Sequence, residues 1–292
     1  MQPPLACTVR GCDRPLTREE RRLICTAGHA FDIARRGYVS LLQPQDRRSR
    51  VPGDAPEAVA ARARLLEAGV GRAVIDAVVA RAPATSHTLV AADLGCGSGE
   101  LLGALATARD LCGVGIDLST AAAEIAARRY PSLTWIVANA DRRLPLLDAR
   151  VDLVLSLNAR RNPAESARVL TAGGVLIVAV PAPDDLMELR AAVQGDAIER
   201  ERAAAVVAAH EPLFSVLERF TTREHHRLEG DSLRDLLRST YRGARVSTAP
   251  RVETLDALDV TLASDVIVMK KTDVGAGFSG PDQGPPEGGP HV

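Results

Sequence analysis

The chain has 292 residues, 46% hydrophobic and 25% charged, which suits one or two packed domains and excludes collagen-like and disordered classes. No stretch reaches the ~18–20 apolar residues of a membrane span. The first thirty residues carry Cys, Asp, Glu and Arg where a secretory leader has its apolar run, so a cytoplasmic protein is expected. With 36 basic and 37 acidic residues the net charge is −1, so the average field is not that of a protein that coats nucleic acid, and position has to decide.

Residues 1–50 are rich in turn-formers and charge and end in Arg47, Arg48, Ser49 and Arg50, followed by Pro52-Gly53-Asp54, which predicts a small domain and then a hinge. Residues 51–85 predict two linker helices, because Val59, Leu65, Leu66, Val70, Val74, Ile75 and Val78 recur at roughly helical spacing around a break at Gly69-Val70-Gly71. Over 86–272 the pattern alternates. Strands are predicted at 89–94, 113–117, 134–138, 151–157, 174–180 and 260–269, and helices at 100–107, 121–129, 164–170 and 186–193. Such alternation predicts an α/β, Rossmann-like domain, a parallel sheet with helices on both faces. The tail 273–292 has ten Gly or Pro among its 20 residues and is expected to be disordered.

Asp93-Leu94-Gly95-Cys96-Gly97-Ser98-Gly99 lies between a predicted strand and a predicted helix, where glycines let a backbone approach a bound cofactor. Asp117 ends the next predicted strand, where a carboxylate can accept both hydrogen bonds of a ribose diol. One strand later, Ala138-Asn139-Ala140-Asp141 places Asp141 toward an adenine amino group. Cys96, between two glycines, reads as a small buried residue rather than a nucleophile.

Three of the five cysteines fall in the first 25 residues, a clustering that points to metal rather than disulfides. Cys7, Cys12, Cys25 and His29 offer three thiolates and one imidazole, the ligand set of a closed structural Zn2+ site. Gly11, Pro15 and Gly28 suit the turns such a site needs. A segment of this size buries too little core to fold alone, so the metal would supply much of its stability.

The glycine turn, preceded by Asp, resembles that of class I S-adenosylmethionine-dependent methyltransferases more than a dinucleotide fingerprint. Together with the metal segment and the phrase Gly28-His29-Ala30-Phe31-Asp32-Ile33-Ala34-Arg35-Arg36-Gly37-Tyr38, the chain resembles the bacterial 23S rRNA guanine-N1 methyltransferases of the RlmA and macrolide-resistance type. The similarity continues through Arg62-x-Arg64-Leu65-Leu66-Glu67-Ala68-Gly69, Leu144-Pro145-Leu146-Leu147-Asp148, Arg161-Asn162-Pro163 and Asp185-Leu186-Met187-Glu188-Leu189, covering about residues 5 to 193. The resemblance implies S-adenosyl-L-methionine as cofactor, held by Asp93, Gly95, Cys96, Gly97, Ser98, Gly99, Asp117, Leu118, Ala140, Asp141 and Asp185. It also implies 23S rRNA or a ribosomal particle as partner, and a homodimer.

The chain departs from that family in four places. The first ligand pair is Cys7-x4-Cys12 rather than Cys-x2-Cys, Asn158-Ala159-Arg160 replaces Phe-Ala-Pro, Asp185 replaces a His, and Gly71 replaces a frequent Tyr. Asn158, just after the fourth predicted strand of the α/β domain, is the candidate polar contact to the target base, with a loop-capping role as the alternative. Arg35, Arg36, Arg47, Arg48 and Arg50 form the candidate phosphate-binding face, against an ordinary solvated surface in an arginine-rich chain. Two other functional readings stay open: a small-molecule methyltransferase of antibiotic biosynthesis, and a cofactor-binding, non-catalytic RNA-associated protein.

Overall fold

The computed structural model describes residues 2–43, 53–194, 201–240 and 256–272. Arg47, Arg48, Arg50, Pro52 and the tail 273–292 lie outside the described residues. The amino-terminal segment forms a three-stranded antiparallel sheet of β1 (Leu16–Glu19), β2 (Arg22–Cys25) and β3 (Ala30–Asp32). A fourth strand, β4 (Tyr38–Ser40), leaves that sheet and joins the edge of the main one.

The main sheet contains β5 (Leu89–Leu94), β6 (Leu111–Asp117), β7 (Thr134–Val137), β8 (Val151–Leu157), β9 (Leu170–Pro181), β10 (Phe214–Glu229) and β11 (Ala257–Lys271). Its order is β10-β11-β9-β8-β5-β6-β7-β4, with β11 antiparallel to both β9 and β10 and the other neighbouring pairs parallel. The central strand β5 is covered on both faces, which explains its continuous apolar sequence. The chain leaves β5 first toward β6 and β7, then returns to place β8 on the other side. That reversal opens a crevice at the carboxyl ends of β5, β6 and β8.

Eight helices complete the described fold: α1 (Pro56–Glu67), α2 (Arg72–Arg81), α3 (Glu100–Ala108), α4 (Thr120–Arg129), α5 (Pro163–Val169), α6 (Met187–Gln194), α7 (Ala203–His210) and α8 (Gly230–Ser239). One face of the sheet packs against α2, α3 and α4 through Ile75, Val78, Leu102, Leu105, Ala126 and Trp135. The other packs against residues of α5 and α7 and against the amino-terminal segment, whose Leu5, Cys7, Leu23, Val39 and Leu41 share one core with Ile116, Ile136 and Val154.

The link from β7 to β8 contains no helix, and the amino-terminal segment covers the face a crossover helix would otherwise cover. Leu5 bridges Leu146, Ala6 N donates to Pro145 O at 3.0 Å, and Leu147 N donates to Pro4 O at 2.9 Å. Each fully buried leucine at this junction contributes ~1.5–3 kcal/mol. Gly53 and Asp54, read as a hinge from sequence, are packed on the β6–α4 turn: the Ser119 hydroxyl donates to Asp54 O at 3.0 Å, and a Cβ on Gly53 would meet Ser119 N at 2.7 Å.

Sequence patterning missed β1 to β4, β10, α7 and α8. The sequence of β10 is largely polar and mostly exposed, so only pairing with β11 makes it a strand. β9 begins at Leu170, ahead of its predicted start, and takes over the end of the predicted helix 164–170. β11 pairs with β9 only over Ser264–Lys270, so its first part and the end of β10 overhang the carboxyl edge of the sheet. α1, α6 and α8 pack on that overhang through Leu65, Leu189, Leu228, Leu233 and Val260. A bidentate pair from Arg64 to Asp235, at 2.8 and 2.6 Å, ties α1 to α8.

Candidate active site and metal centre

The glycine turn is built against the strand beside it. Gly95 N and Cys96 N both donate to Ile116 O, at 2.8 and 3.2 Å, and Gly99 N donates to Cys96 O at 3.0 Å before α3 begins. Gly95 is required by a close approach, since a Cβ there would lie 2.3 Å from the Ala159 Cβ. Gly97 differs: its φ is +53°, yet a Cβ would meet nothing within 4 Å. Bare backbone at this point faces open space, the cradle a cofactor requires.

Asp117 stands at the end of β6 with one carboxylate oxygen accepting from Gly97 N at 2.9 Å and the other from Ser119 N at 2.8 Å. Each oxygen keeps a lone pair, so the fixed carboxylate can still accept a hydroxyl on each side. Asp93 is 3% exposed, and burial, reinforced by the Asp117 and Glu100 carboxylates, pushes its pKa up to about 8. A cationic ligand would relieve this crowding of acids, and S-adenosylmethionine carries a sulfonium and an ammonium. Burial, with Asp117 and Asp93 nearby, pushes the Cys96 thiol well above its usual range, so it is no nucleophile. Ser98 spends its hydroxyl on Glu100, at 2.7 and 2.8 Å. Glu100 also pairs with Arg129, which in turn pairs with Glu67 of α1.

Leu118 and Ala140 are half-buried beside Asp117 and Asp141 respectively. Asp141 is exposed, and Arg160 Nη1 lies 3.2 Å from its carboxylate. Asn158 is exposed at the end of β8 with φ +53°, a conformation Asn tolerates better than most residues, and its N–H donates to Ala179 O at 2.9 Å. Asp185 follows β9, where its side chain accepts from Ala263 N at 3.0 Å and its carbonyl accepts from Arg190.

Cys7, Cys12, Cys25 and His29 bring their ligand atoms within 4.8 Å of one another. Cys12 Sγ lies 3.8 Å from Cys25 Sγ, and His29 Nδ1 lies 3.5 Å from Cys7 Sγ and 3.6 Å from Cys25 Sγ. Tetrahedral zinc with bonds of ~2.3 Å to sulfur and ~2.1 Å to nitrogen requires edges of roughly 3.8 and 3.6 Å. The donors therefore fit the ion. Gly28, at φ +83°, closes the turn in which its N–H donates to Cys25 O at 2.8 Å and brings His29 back to the site. Burial pushes the Cys7 thiol up to about 12, and zinc would reverse that by binding the thiolate. Of the predicted arginine face, Arg35 is exposed and Arg36 pairs with Glu124.

An open α/β sheet with a glycine turn facing empty space at its switch point, followed by a half-buried acid at the end of the next strand, defines a class I methyltransferase. Residues 91–174 match the methyltransferase domain family, and residues 6–50 match the RlmA amino-terminal zinc-ribbon family. The 23S rRNA (guanine(748)-N(1))-methyltransferase of Streptomyces fradiae is 33% identical over 226 residues, covering 76% of this chain and 80% of the relative. A Micromonospora griseorubida protein, provisionally named a 23S rRNA (guanine-N(1)-)-methyltransferase, is 37% identical over 210 residues, 64% of this chain and 68% of the relative. A Bacillus subtilis protein with the same provisional name is 34% identical over 215 residues, 70% of this chain and 71% of the relative. The chain belongs to the RlmA-type 23S rRNA (guanine-N1)-methyltransferase family. It is an S-adenosylmethionine-dependent methyltransferase with a structural zinc ribbon.

Proposed function

We propose that this protein methylates N1 of a guanine in 23S rRNA, the base that corresponds to guanine 748 of the Streptomyces fradiae enzyme's name being the first to examine. The observation that carries this reading is the fusion of the Cys3His ribbon to the glycine-turn sheet in one core, in a chain 33% identical to the Streptomyces fradiae enzyme over 226 residues. Bound S-adenosylmethionine supplies an electrophilic methyl on sulfur. Gly95, Cys96, Gly97, Ser98 and Gly99 would shape its path, Asp93 would face its positive charge, and Asp117 would accept from its ribose hydroxyls. Leu118, Ala140 and Asp141 would flank its adenine, while Asn158 would bond the target base. Transfer to guanine N1 releases the N1 proton, and the protein's main work is to position the two reactants. Arg35 and Arg36, with Arg47, Arg48 and Arg50, would hold phosphates. Kinship supports a homodimer, checked by sedimentation.

The test is primer extension across 23S rRNA from cells expressing the wild type or an Asp93→Ala, Gly97→Arg double variant. Methyl on N1 blocks pairing and stops reverse transcriptase. A stop with the wild type alone establishes the reaction and locates the base, and drug susceptibility of the same cells shows whether the methyl protects the ribosome. No stop, with wild-type cofactor binding intact, would move the reading to a small-molecule substrate.

A further inference from the structure

Three loops meet at the carboxyl edge of the sheet, beside the cofactor crevice. The first ligand loop of the ribbon, from Cys7 to Cys12, reaches that edge where the Thr8 hydroxyl donates to Leu41 O at 2.8 Å and Leu41 N donates at 3.0 Å to the carbonyl of Val137, the last residue of β7. The loop after β7 carries Arg142 and Arg143, and Arg143 Nε donates to Asp13 Oδ1 of the ribbon at 2.7 Å. The loop after β8 carries Arg160, whose Nη1 lies 3.2 Å from the Asp141 carboxylate, and Asn162 Nδ2 donates to Asp141 O at 3.5 Å.

Arginine is what these loops bring to the edge. Arg10 and Gly11 occupy the middle of a tight turn closed by Cys12 N, which donates to Val9 O at 2.9 Å, with Gly11 at φ +75°. Arg10 is exposed, as are Arg14, Arg142, Arg143 and Arg160. Against these guanidinium groups stand the carboxylates of Asp13 and Asp141, while Glu165, 4.0 Å from Arg143, is already bound to Arg168. Cations are in excess. Both ion pairs are exposed, the Arg160 side chain being 81% open to solvent, and pairs of this kind hold so weakly that a polyanion can draw the cations away. Arg10 and Arg160 also lie where the sequence departs from the family's usual pattern, one in the lengthened ligand loop and the other in the segment that replaces Phe-Ala-Pro.

We infer that this rim of Arg10, Arg14, Arg142, Arg143 and Arg160 binds the phosphates of the RNA strand on either side of the target base. The assignment rests on the proposed rRNA methylation and adds a second phosphate-binding face to the arginines between 35 and 50. A base drawn out of its helix into the crevice leaves its own backbone outside, and this rim borders the crevice at the end that Asp117 and Asp141 mark. Guanidinium forks meet phosphate oxygens two at a time, and such contacts fix the position of a strand without reading its sequence. The rim therefore sets which stretch of backbone lies over the methyl, and the crevice selects the base.

The test is fluorescence anisotropy of a labelled 23S rRNA fragment centred on the counterpart of guanine 748, titrated with full-length protein loaded with S-adenosylhomocysteine. Arg10→Gln, Arg14→Gln and Arg142→Gln are combined in one variant, which spares the Arg160 and Asp141 pair beside the cofactor. A control combines Arg109→Gln, Arg128→Gln and Arg150→Gln, the same change of charge at the amino edge of the sheet, where α3 and α4 end and β8 begins. Between about 50 and 200 mM salt the slope of log affinity against log salt should fall by about 2 to 3 in the rim variant, and at about 100 mM it should bind roughly a hundredfold more weakly. Its Tm and cofactor Kd should stay at the wild-type values, and the control should bind RNA as the wild type does. An unchanged slope in the rim variant, or an equal fall in both variants, would overturn the assignment, as would a fall accompanied by lost cofactor affinity, which damage to the crevice explains. A primer-extension stop with an unchanged slope would remove the rim and keep the methylation reading, whereas a fallen slope without any stop would keep the rim and remove the methylation.

Discussion

At position 93 a carboxylate is buried beside two others, and its pKa of about 8 links folding to cofactor binding. Below the unfolded value of 3.8 the acid is protonated in both states and costs nothing. As pH rises toward about 8 the unfolded chain ionises while the folded one keeps its proton, so this group subtracts stability progressively across that window. Asp93→Asn should therefore be little changed at pH 4 and more stable than wild type at pH 8, by on the order of 5–10 °C in Tm. Equal Tm differences at both pH values would show that Asp93 does not titrate this way. Cofactor binding has the opposite sign. A cationic ligand favours ionised Asp93, so at pH 7 binding should release a proton, and affinity should rise with pH and level off near 8. Calorimetry in buffers of different ionisation enthalpy measures the proton directly.

Among the elements, α2 begins at Gly71 in a left-handed conformation, with no side chain of its own to cap it. Glu224 of β10 supplies the cap from across the fold, accepting from Gly71 N and from Ala73 N, the latter at 3.2 Å. Negative charge at a helix start also interacts favourably with the positive end of the helix dipole. Glu224→Ala should cost about 1–2 kcal/mol, with amide exchange accelerating first at Gly71 and Ala73. Unchanged exchange there would mean that the helix start needs no carboxylate. This cap could not be read from sequence: position 224 lies in a polar run with no strand signature, and its partner is 153 residues away. By contrast, the capping of α4 by Ser119 and of α5 by Asn162, ahead of Pro163, follows from local chemistry.

Taken as a whole, zinc ribbon and sheet are one mechanical unit among the described residues. Leu5, Cys7, Leu23 and Leu41 share a core with Ile116 and Val154, and β4 lies at the edge of the main sheet beside β7. Stripping the metal should not melt a separate module and spare the rest. Chelation, or Cys12→Ser, should lower a single cooperative transition by roughly 10 °C or more and weaken cofactor binding with it. Two transitions, with the upper one unmoved, would show the ribbon to be independent. For rRNA binding, changing Arg35 and Arg36 to Glu should weaken affinity and reduce its salt slope by about 0.9 for each phosphate no longer neutralised. An unchanged slope would remove both residues from the phosphate-binding face.

Local chemistry and spacing along the chain were enough to give the alternating strands and helices of the central sheet, the glycine turn with Asp117 one strand on, and the four zinc ligands. Those features were legible because each depends on a short-range pattern, an apolar run, a bare backbone or a set of donors with one favoured geometry. It took the folded arrangement to make the ribbon stand in for a crossover helix, to turn a polar edge sequence into β10, and to set Asp185 against Ala263. Folding also brought His210 and Arg161, far apart in the chain, into the lining of one cleft. Such pairings join groups tens of residues apart, and their energies come from burial and from hydrogen bonds closed across the fold, which no periodicity along the chain records.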